Sequence, residues 1–366
     1  MRFKVHKNVL LENVQITSGV IPVRHTVYLV SFMLIEADSS LGKITLSGTD
    51  LETSITNSFQ CEVTESGSLT VPGKKFNELL RELPDESIEI YTEENNMIIK
   101  CKKDHIILKG QPRDDFPVLP KVKKDNVIML DQNVFRDLIR KINYAAPIDD
   151  SRQCLNGGYL HIVGKELKFV ATDGHRLALA KTEIEIGIKD ETGIIIPVKT
   201  LSELLRIIKG EAEVVISFSS NQISFEMDSI ILISRLIEEK YPNYAQVIPQ
   251  KQDHIAVVDR AELLAETRRI ALLVSERGYS VKYKFENRML FLYSTSPDIG
   301  EGTAELAIEY EGEEVQIVLN ALYMLDVVKN IETESIEIHF SNKLSPVVIK
   351  PVGKDDYLCL IMPMRQ

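Results

Sequence analysis

The chain has 366 residues, 44% of them hydrophobic and 27% charged, with a formal net charge of −11. Such a chain holds core material for roughly two to three domains, and its balance excludes a disordered chain and one that grips nucleic acid by bulk positive charge. No stretch approaches the ~18 consecutive apolar residues of a membrane span, and the opening MRFKVHKNVL has no apolar signal core, so a cytoplasmic location is expected.

In chain order, a helix is predicted over Lys7–Val20, followed by a loop with Arg24 and strands such as LGKITLSGTD. Then comes a cassette of apolar run, amphipathic helix and strand, LTVPGKKFNELLRELPDESIEIY, from Leu69 to Tyr91. Its helix carries Phe76, Leu79, Leu80 and Leu83 at i, i+3, i+4 and i+7, which puts one apolar stripe on one face. The runs NNMIIKC and HIILKG read as antiparallel strands, DDFPVLP closes the segment, and KVKKDN is the linker.

The same sequence of elements then restarts. A helix over Asp131–Ala146 carries Phe135, Leu138, Ile139 and Ile142, and a loop with Arg152 follows. A second cassette from Ile194 to Ser217 holds Leu201, Leu204, Leu205 and Ile208. A third helix pair spans Arg260–Ser275, with a less regular stripe, and Leu319–Asn330, with Met324, Val327, Val328 and Ile331. The cassette anchors Phe76, Leu201 and Met324 are 125 and 123 residues apart, and ESIEI recurs verbatim at Glu86 and Glu334, 248 residues apart. The constant register implies three copies of one α+β domain, bounded at 1–123, 124–250 and 251–366, each with two helices packed on antiparallel sheet.

The six helical spans together carry +5, leaving −16 for the rest of the chain. If the helices of all repeats face one way, one surface is mildly basic; lysines and arginines that merely decorate solvated helix faces are the alternative. In ATDGHRLALA, Asp173 and His175 could form an acid/base pair, but Asp-Gly is a strong turn signal and no nucleophile or metal-ligand spacing accompanies it. The chain has no HExxH, GxxxxGK[ST] or GxGxxG motif. Cys61, Cys101, Cys154 and Cys359 lie 40, 53 and 205 residues apart, without a CxxC pair, and read as reduced thiols. Neither cofactor nor metal is expected, and enzyme chemistry is disfavoured.

Three repeats of this size, TDGHRLA in the second, YPNY after it and a terminal MPMR resemble the bacterial sliding clamp family, the beta subunit of DNA polymerase III, over the whole chain. The resemblance implies a non-catalytic processivity factor: a homodimer closing into a six-domain ring around duplex DNA, of which this chain is half. It implies phosphate contacts from Arg24, Lys74, Arg152 and Lys199. It also implies a partner-peptide pocket from Leu155, Thr172, Gly174, His175, Arg176, Leu177, Pro242, Val247, Leu344, Pro346, Leu360, Met362, Pro363 and Met364. Short apolar motifs of the polymerase III alpha subunit, the clamp loader, other polymerases and repair proteins would dock there. Ring closure would pair Ile106 and Leu108 with a helix containing Leu272 and Leu273. A specialised second-copy clamp, or a clamp-like scaffold outside main replication, is the alternative.

Overall fold

The computed structural model describes residues 1–22, 27–123, 125–274 and 278–365, with the backbone alone for 186–189. Among them are six α-helices, α1 (Lys7–Ser18), α2 (Gly73–Glu82), α3 (Gln132–Asn143), α4 (Val198–Ile207), α5 (Arg260–Ala271) and α6 (Ala321–Asn330), and three antiparallel sheets. Every predicted helix is present with its ends moved by a few residues. The start of α6 shows why: Leu319 lies opposite Val281 in a strand pair, and the Asn320 side chain accepts from Leu322 and Tyr323 N–H, so the helix begins at Ala321. α5 stops at Ala271, where Leu272 N–H turns back to the Arg269 and Ile270 carbonyls, short of the predicted Ser275.

The helical stripes are the core. Phe76, Leu80, Phe135, Ile139, Ile142, Leu201, Leu204, Ile208, Met324 and Val328 are fully buried. Each such side chain contributes about 1.5–3 kcal/mol on burial. α5 buries Leu263, Thr267 and Ile270, consistent with its irregular pattern.

Compactness divides the chain differently from the repeats. One unit holds residues 1–136 and 202–236, the other 137–201 and 237–366. The first unit contains a five-stranded sheet ordered Glu62–Glu65, Arg2–His6, Ser87–Glu93, Asn96–Cys101, Asp104–Lys109. It also contains an eight-stranded sheet in which Ile230–Arg235 of the second repeat pairs with Thr53–Gln60 of the first. The second unit holds a ten-stranded sheet in which Arg176–Pro197 of the second repeat pairs with Tyr357–Ile361 of the third. Hydrogen-bonded ladders thus run across both repeat boundaries, so spatial clustering cuts through the middle repeat.

Candidate functional site

In the second unit, strands Gly157–Thr172 and Arg176–Pro197 are joined by the turn Asp173-Gly174-His175. Thr172 Oγ1 accepts from Gly174 N–H at 3.0 Å, and Asp173 Oδ1 accepts from His175 and Arg176 N–H at 2.8 and 2.9 Å. Gly174 has φ +87°, and a Cβ there would lie 3.0 Å from Arg152 Nη1, so the position favours glycine. The Asp173 carboxylate is therefore committed to the turn, with Oδ2 accepting from Arg176 Nε at 3.1 Å. An acid/base pair with the His175 ring is not formed.

Arg176 ties this turn to two helices. Nη1 donates to Asp326 Oδ2 of α6 at 2.6 Å, Nη2 donates to the Tyr144 carbonyl just past α3 at 2.6 Å, and the guanidinium lies 4.4 Å over the Tyr323 ring. A guanidinium only 13% exposed is tolerated because its donors meet carboxylates and a carbonyl. Tyr144 hydroxyl in turn lies 3.0 Å from Tyr357 hydroxyl and from Cys359 Sγ. Burial pushes the Cys359 thiol up to about 11, which leaves it protonated and unreactive.

Beside the turn is a cleft of about 170 Å³. Its floor is Leu155, Leu177 and Leu360, backed by Val170, Leu179, Ile195, Tyr241 and Val348. Its rim includes Thr172, Gly174, His175, Arg176, Pro242, Val247 and Met362. Ten of the fourteen residues expected at a peptide pocket are thus brought together. The other four do not line it. Leu344 and Pro346 lie on a loop turned by Asn342 Oδ1, which accepts from Leu344 and Ser345 N–H. Past Met362, whose N–H donates to the His175 carbonyl, Met364 N–H donates to the Val318 carbonyl, and its methyl lies 3.4 Å from where a Gly278 Cβ would stand. Sequence reasoning missed Asn243 and Tyr244, although YPNY contains both, and it assigned Arg152 to DNA alone. Arg152 Nε and Nη2 each donate to Asp150 at 3.0 Å, and Nη2 also donates to the Asp173 carbonyl. The guanidinium holds the Asp150 carboxyl down at about 2.

The other expected positions are separate. Arg24 lies outside the described residues. In the first unit, Lys74 Nζ donates to the Ser18 carbonyl at 3.0 Å, and Arg206 donates to Gln15 and Ile16 carbonyls at 3.0 and 2.7 Å. Two cations therefore satisfy the carbonyl end of α1, as the helix dipole favours. They border a concavity of about 490 Å³ with Arg81 and Lys209, which sequence reasoning did not single out. Lys199 is exposed on the first turn of α4, in the second unit.

Asp104–Lys109 is the outermost strand of its sheet, yet Ile106 and Leu108 pack inward on the first-repeat core, while Ile107, 59% exposed, faces out. Leu272 is 78% exposed just beyond the end of α5, and Leu273 is half-buried against Gly302. Strand Gly300–Glu309 pairs with Met289–Ser296 along its length but with His254–Asp259 only at Ile308 and Glu309. Its remaining edge carries no partner strand among the described residues.

Fold and site together define a three-repeat α+β protein whose formed site is a peptide-sized apolar cleft. Residues 1–120, 129–243 and 245–365 match the N-terminal, central and C-terminal domain profiles of the DNA polymerase III beta subunit. The chain is 30% identical to the beta sliding clamp of Pseudomonas aeruginosa, covering 100% of both, and 30% identical to that of Staphylococcus aureus, covering 100% of this chain and 99% of the relative. Similar solved structures include the P. aeruginosa DNA polymerase III subunit beta (TM-score 0.94, 30% identity, 100% of both chains) and the Bacillus subtilis sliding clamp (0.93, 28%, 100% and 99%). A further P. aeruginosa clamp structure is bound to griselimycin (0.95, 30%, 100% of both). The chain belongs to the DNA polymerase III beta subunit family, the beta sliding clamps. It is accordingly a non-catalytic subunit of the replication machinery.

Proposed function

We propose that the chain acts as half of a closed ring around duplex DNA and tethers a replicative polymerase through the cleft floored by Leu155, Leu177 and Leu360. The convergence of ten expected side chains on that cleft carries the reading. A cleft of leucine, valine, proline and methionine suits an extended peptide with two or three apolar anchors. Two anchors supply roughly 3–6 kcal/mol before ordering costs of several kcal/mol, so docking is weak and exchangeable, as a platform shared by several partners requires.

The three domains are residues 1–123, 124–250 and 251–366. The ring closes where Asp104–Lys109 of one copy meets the open edge of Gly300–Glu309 in the other. Lys103, His105 and Lys109 on or beside the first strand complement Glu301 and Glu305 on the second. Ile107 and Leu272 are the exposed apolar side chains available to that contact. Phosphates are met by Arg24, Lys74, Arg152 and Lys199, with Arg81 beside Lys74. Contacts of this kind are sequence-independent and screened by salt, which permits sliding. No helix of the described residues is long and apolar enough to cross a membrane, and a cytoplasmic location fits a DNA-bound role.

The test is retention on plasmid after incubation with clamp loader and ATP, followed by linearisation. Encirclement predicts that the protein stays on circular plasmid and runs off linear plasmid. Equal retention on both would overturn it.

A further inference from the structure

The cleft takes Pro242, Asn243, Tyr244 and Val247 from one segment, whose only regular structure is the single 3-10 turn Tyr244–Val247. The backbone bonds of that segment are local, those of the turn itself together with Gln246 N–H donating to the Asn243 carbonyl at 3.3 Å. Among the described residues, the one side-chain hydrogen bond made by 242–248 joins Tyr244 hydroxyl to His161 Nδ1 at 2.8 Å. The other ring nitrogen, Nε2, lies 2.8 Å from Glu191 Oε1. His161 stacks on Tyr159 at 5.3 Å, and Tyr159 stacks on Tyr241 at 4.6 Å and 3°. The site is built closely: a Cβ on Gly193 would fall 1.9 Å from the Tyr159 hydroxyl oxygen.

With a neutral imidazole the hydrogen bonds of this chain run in one direction. A carboxylate only accepts, so His161 Nε2 carries the hydrogen toward Glu191, and Nδ1 of the neutral ring accepts from the Tyr244 hydroxyl. Burial, then Tyr159, Glu166 and Glu191, push the Tyr244 hydroxyl up to about 12, so it keeps its proton at neutral pH. Glu191 is exposed while the His161 side chain is 14% exposed. The chain therefore runs from solvent through a nearly buried imidazole to the wall of the cleft. The chain from Tyr244 through His161 to Glu191 ties this locally bonded segment to strands 83 and 53 residues earlier in sequence.

We propose that Tyr244 is a specificity-determining wall of the peptide cleft, and that His161, oriented by Glu191, is the positioning residue that holds it there. The inference rests on reading the cleft as a peptide-docking site. Ordering this wall in advance removes part of the cost a peptide would otherwise meet on binding.

The experiment is fluorescence anisotropy with a short labelled peptide carrying two leucine anchors, on the full chain and on Tyr244→Phe, His161→Leu, the double variant and His161→Gln. Tyr244→Phe and His161→Leu should each weaken binding by roughly 3- to 10-fold, the loss of one net hydrogen bond. The double variant should be no weaker than the worse single one, and His161→Gln, which can both donate and accept, should recover most of the affinity. A purely structural role would instead give additive losses that follow thermal midpoints. If the parent binds in a manner abolished by Leu177→Ala but the Tyr244 and His161 variants bind as tightly as the parent, this inference fails and the cleft assignment survives. If the parent does not bind the peptide, both fail.

Discussion

Replacing Arg176 by alanine removes the side chain that joins the cleft turn to α3 and α6. Its guanidinium bonds Asp173 at 3.1 Å, Asp326 at 2.6 Å and the Tyr144 carbonyl at 2.6 Å, and it covers the Tyr323 ring at 4.4 Å. Stranding the partner of a buried ion pair costs about 3–5 kcal/mol. Two features lower that figure here. The Asp326 side chain is 37% exposed and rehydrates, and Asp173 still accepts two backbone N–H bonds. The lost cation–π contact adds about 0.5–2 kcal/mol. We expect a net loss of about 3 kcal/mol, which lowers Tm by roughly 6–12 °C for a unit of this size. Urea unfolding followed by circular dichroism measures it, with Asp326→Asn and the double variant closing a cycle whose coupling energy should reach about 1 kcal/mol. A variant within about 0.5 kcal/mol of the parent, the range of ordinary surface changes, would refute the assignment of Arg176 as the tie.

Gly174→Ala should cost about 1–2 kcal/mol, because an L side chain at φ +87° is strained and its Cβ meets the Arg152 guanidinium; urea midpoints check this. Asp150 should titrate at about 2 in a carboxyl NMR titration and return toward the ordinary ~3.9 in Arg152→Met. Because its folded value is depressed, the stabilisation it gives is fully present above the unfolded value and disappears as pH falls through about 2, so an unmoved titration in Arg152→Met would show that the ion pair is not its cause. Leu272→Ala with Leu273→Ala should yield monomers by light scattering, since an exposed leucine such as Leu272 buried at a ring contact is worth about 1.5–3 kcal/mol and a closed ring has two such contacts; an unchanged dimer mass would count against that contact. Leu360→Ala should lower stability by about 2–5 kcal/mol through the cavity left in the cleft floor and abolish peptide binding, as read by anisotropy.

The helices were legible because a 3.6-residue period needs only apolar spacing, and Phe76, Phe135, Leu201 and Met324 each stand on a stripe that the fold buries. The turn at Asp173-Gly174 was legible for a similar reason, since local hydrogen bonds and a positive φ are encoded by the residues themselves. Features set by distant backbone were not. HIIL at 105–108 places three apolar residues in a row, which erases the period-2 signal, so the outward side chain, Ile107, could not be told from Ile106 and Leu108. Lys74 reads as a free basic residue, and only the fold brings it to the Ser18 carbonyl at the end of α1. Tyr244 reads as part of a turn motif, because its partner His161 lies 83 residues earlier.

The repeat is held more tightly by backbone register than by side-chain identity. At the junction of the first and second repeats, Thr53 lies opposite Ser234 and Ile55 opposite Leu232. At the junction of the second and third, Ala178 lies opposite Cys359 and Ala180 opposite Tyr357. Every one of these positions is shifted by the same 125 residues, yet none keeps its residue type. A one-residue slip in either ladder would send the whole buried set to the wrong face, so register is under stronger constraint than composition. That freedom in side chains allows one junction to carry an apolar cleft with Leu177 and Leu360 at its floor while the other, with Glu52 and Arg235 at the corresponding positions, does not reproduce that floor. Three copies of one backbone thus place two leucines at one junction and Glu52 with Arg235 at the other, a difference that identical junction side chains would not permit.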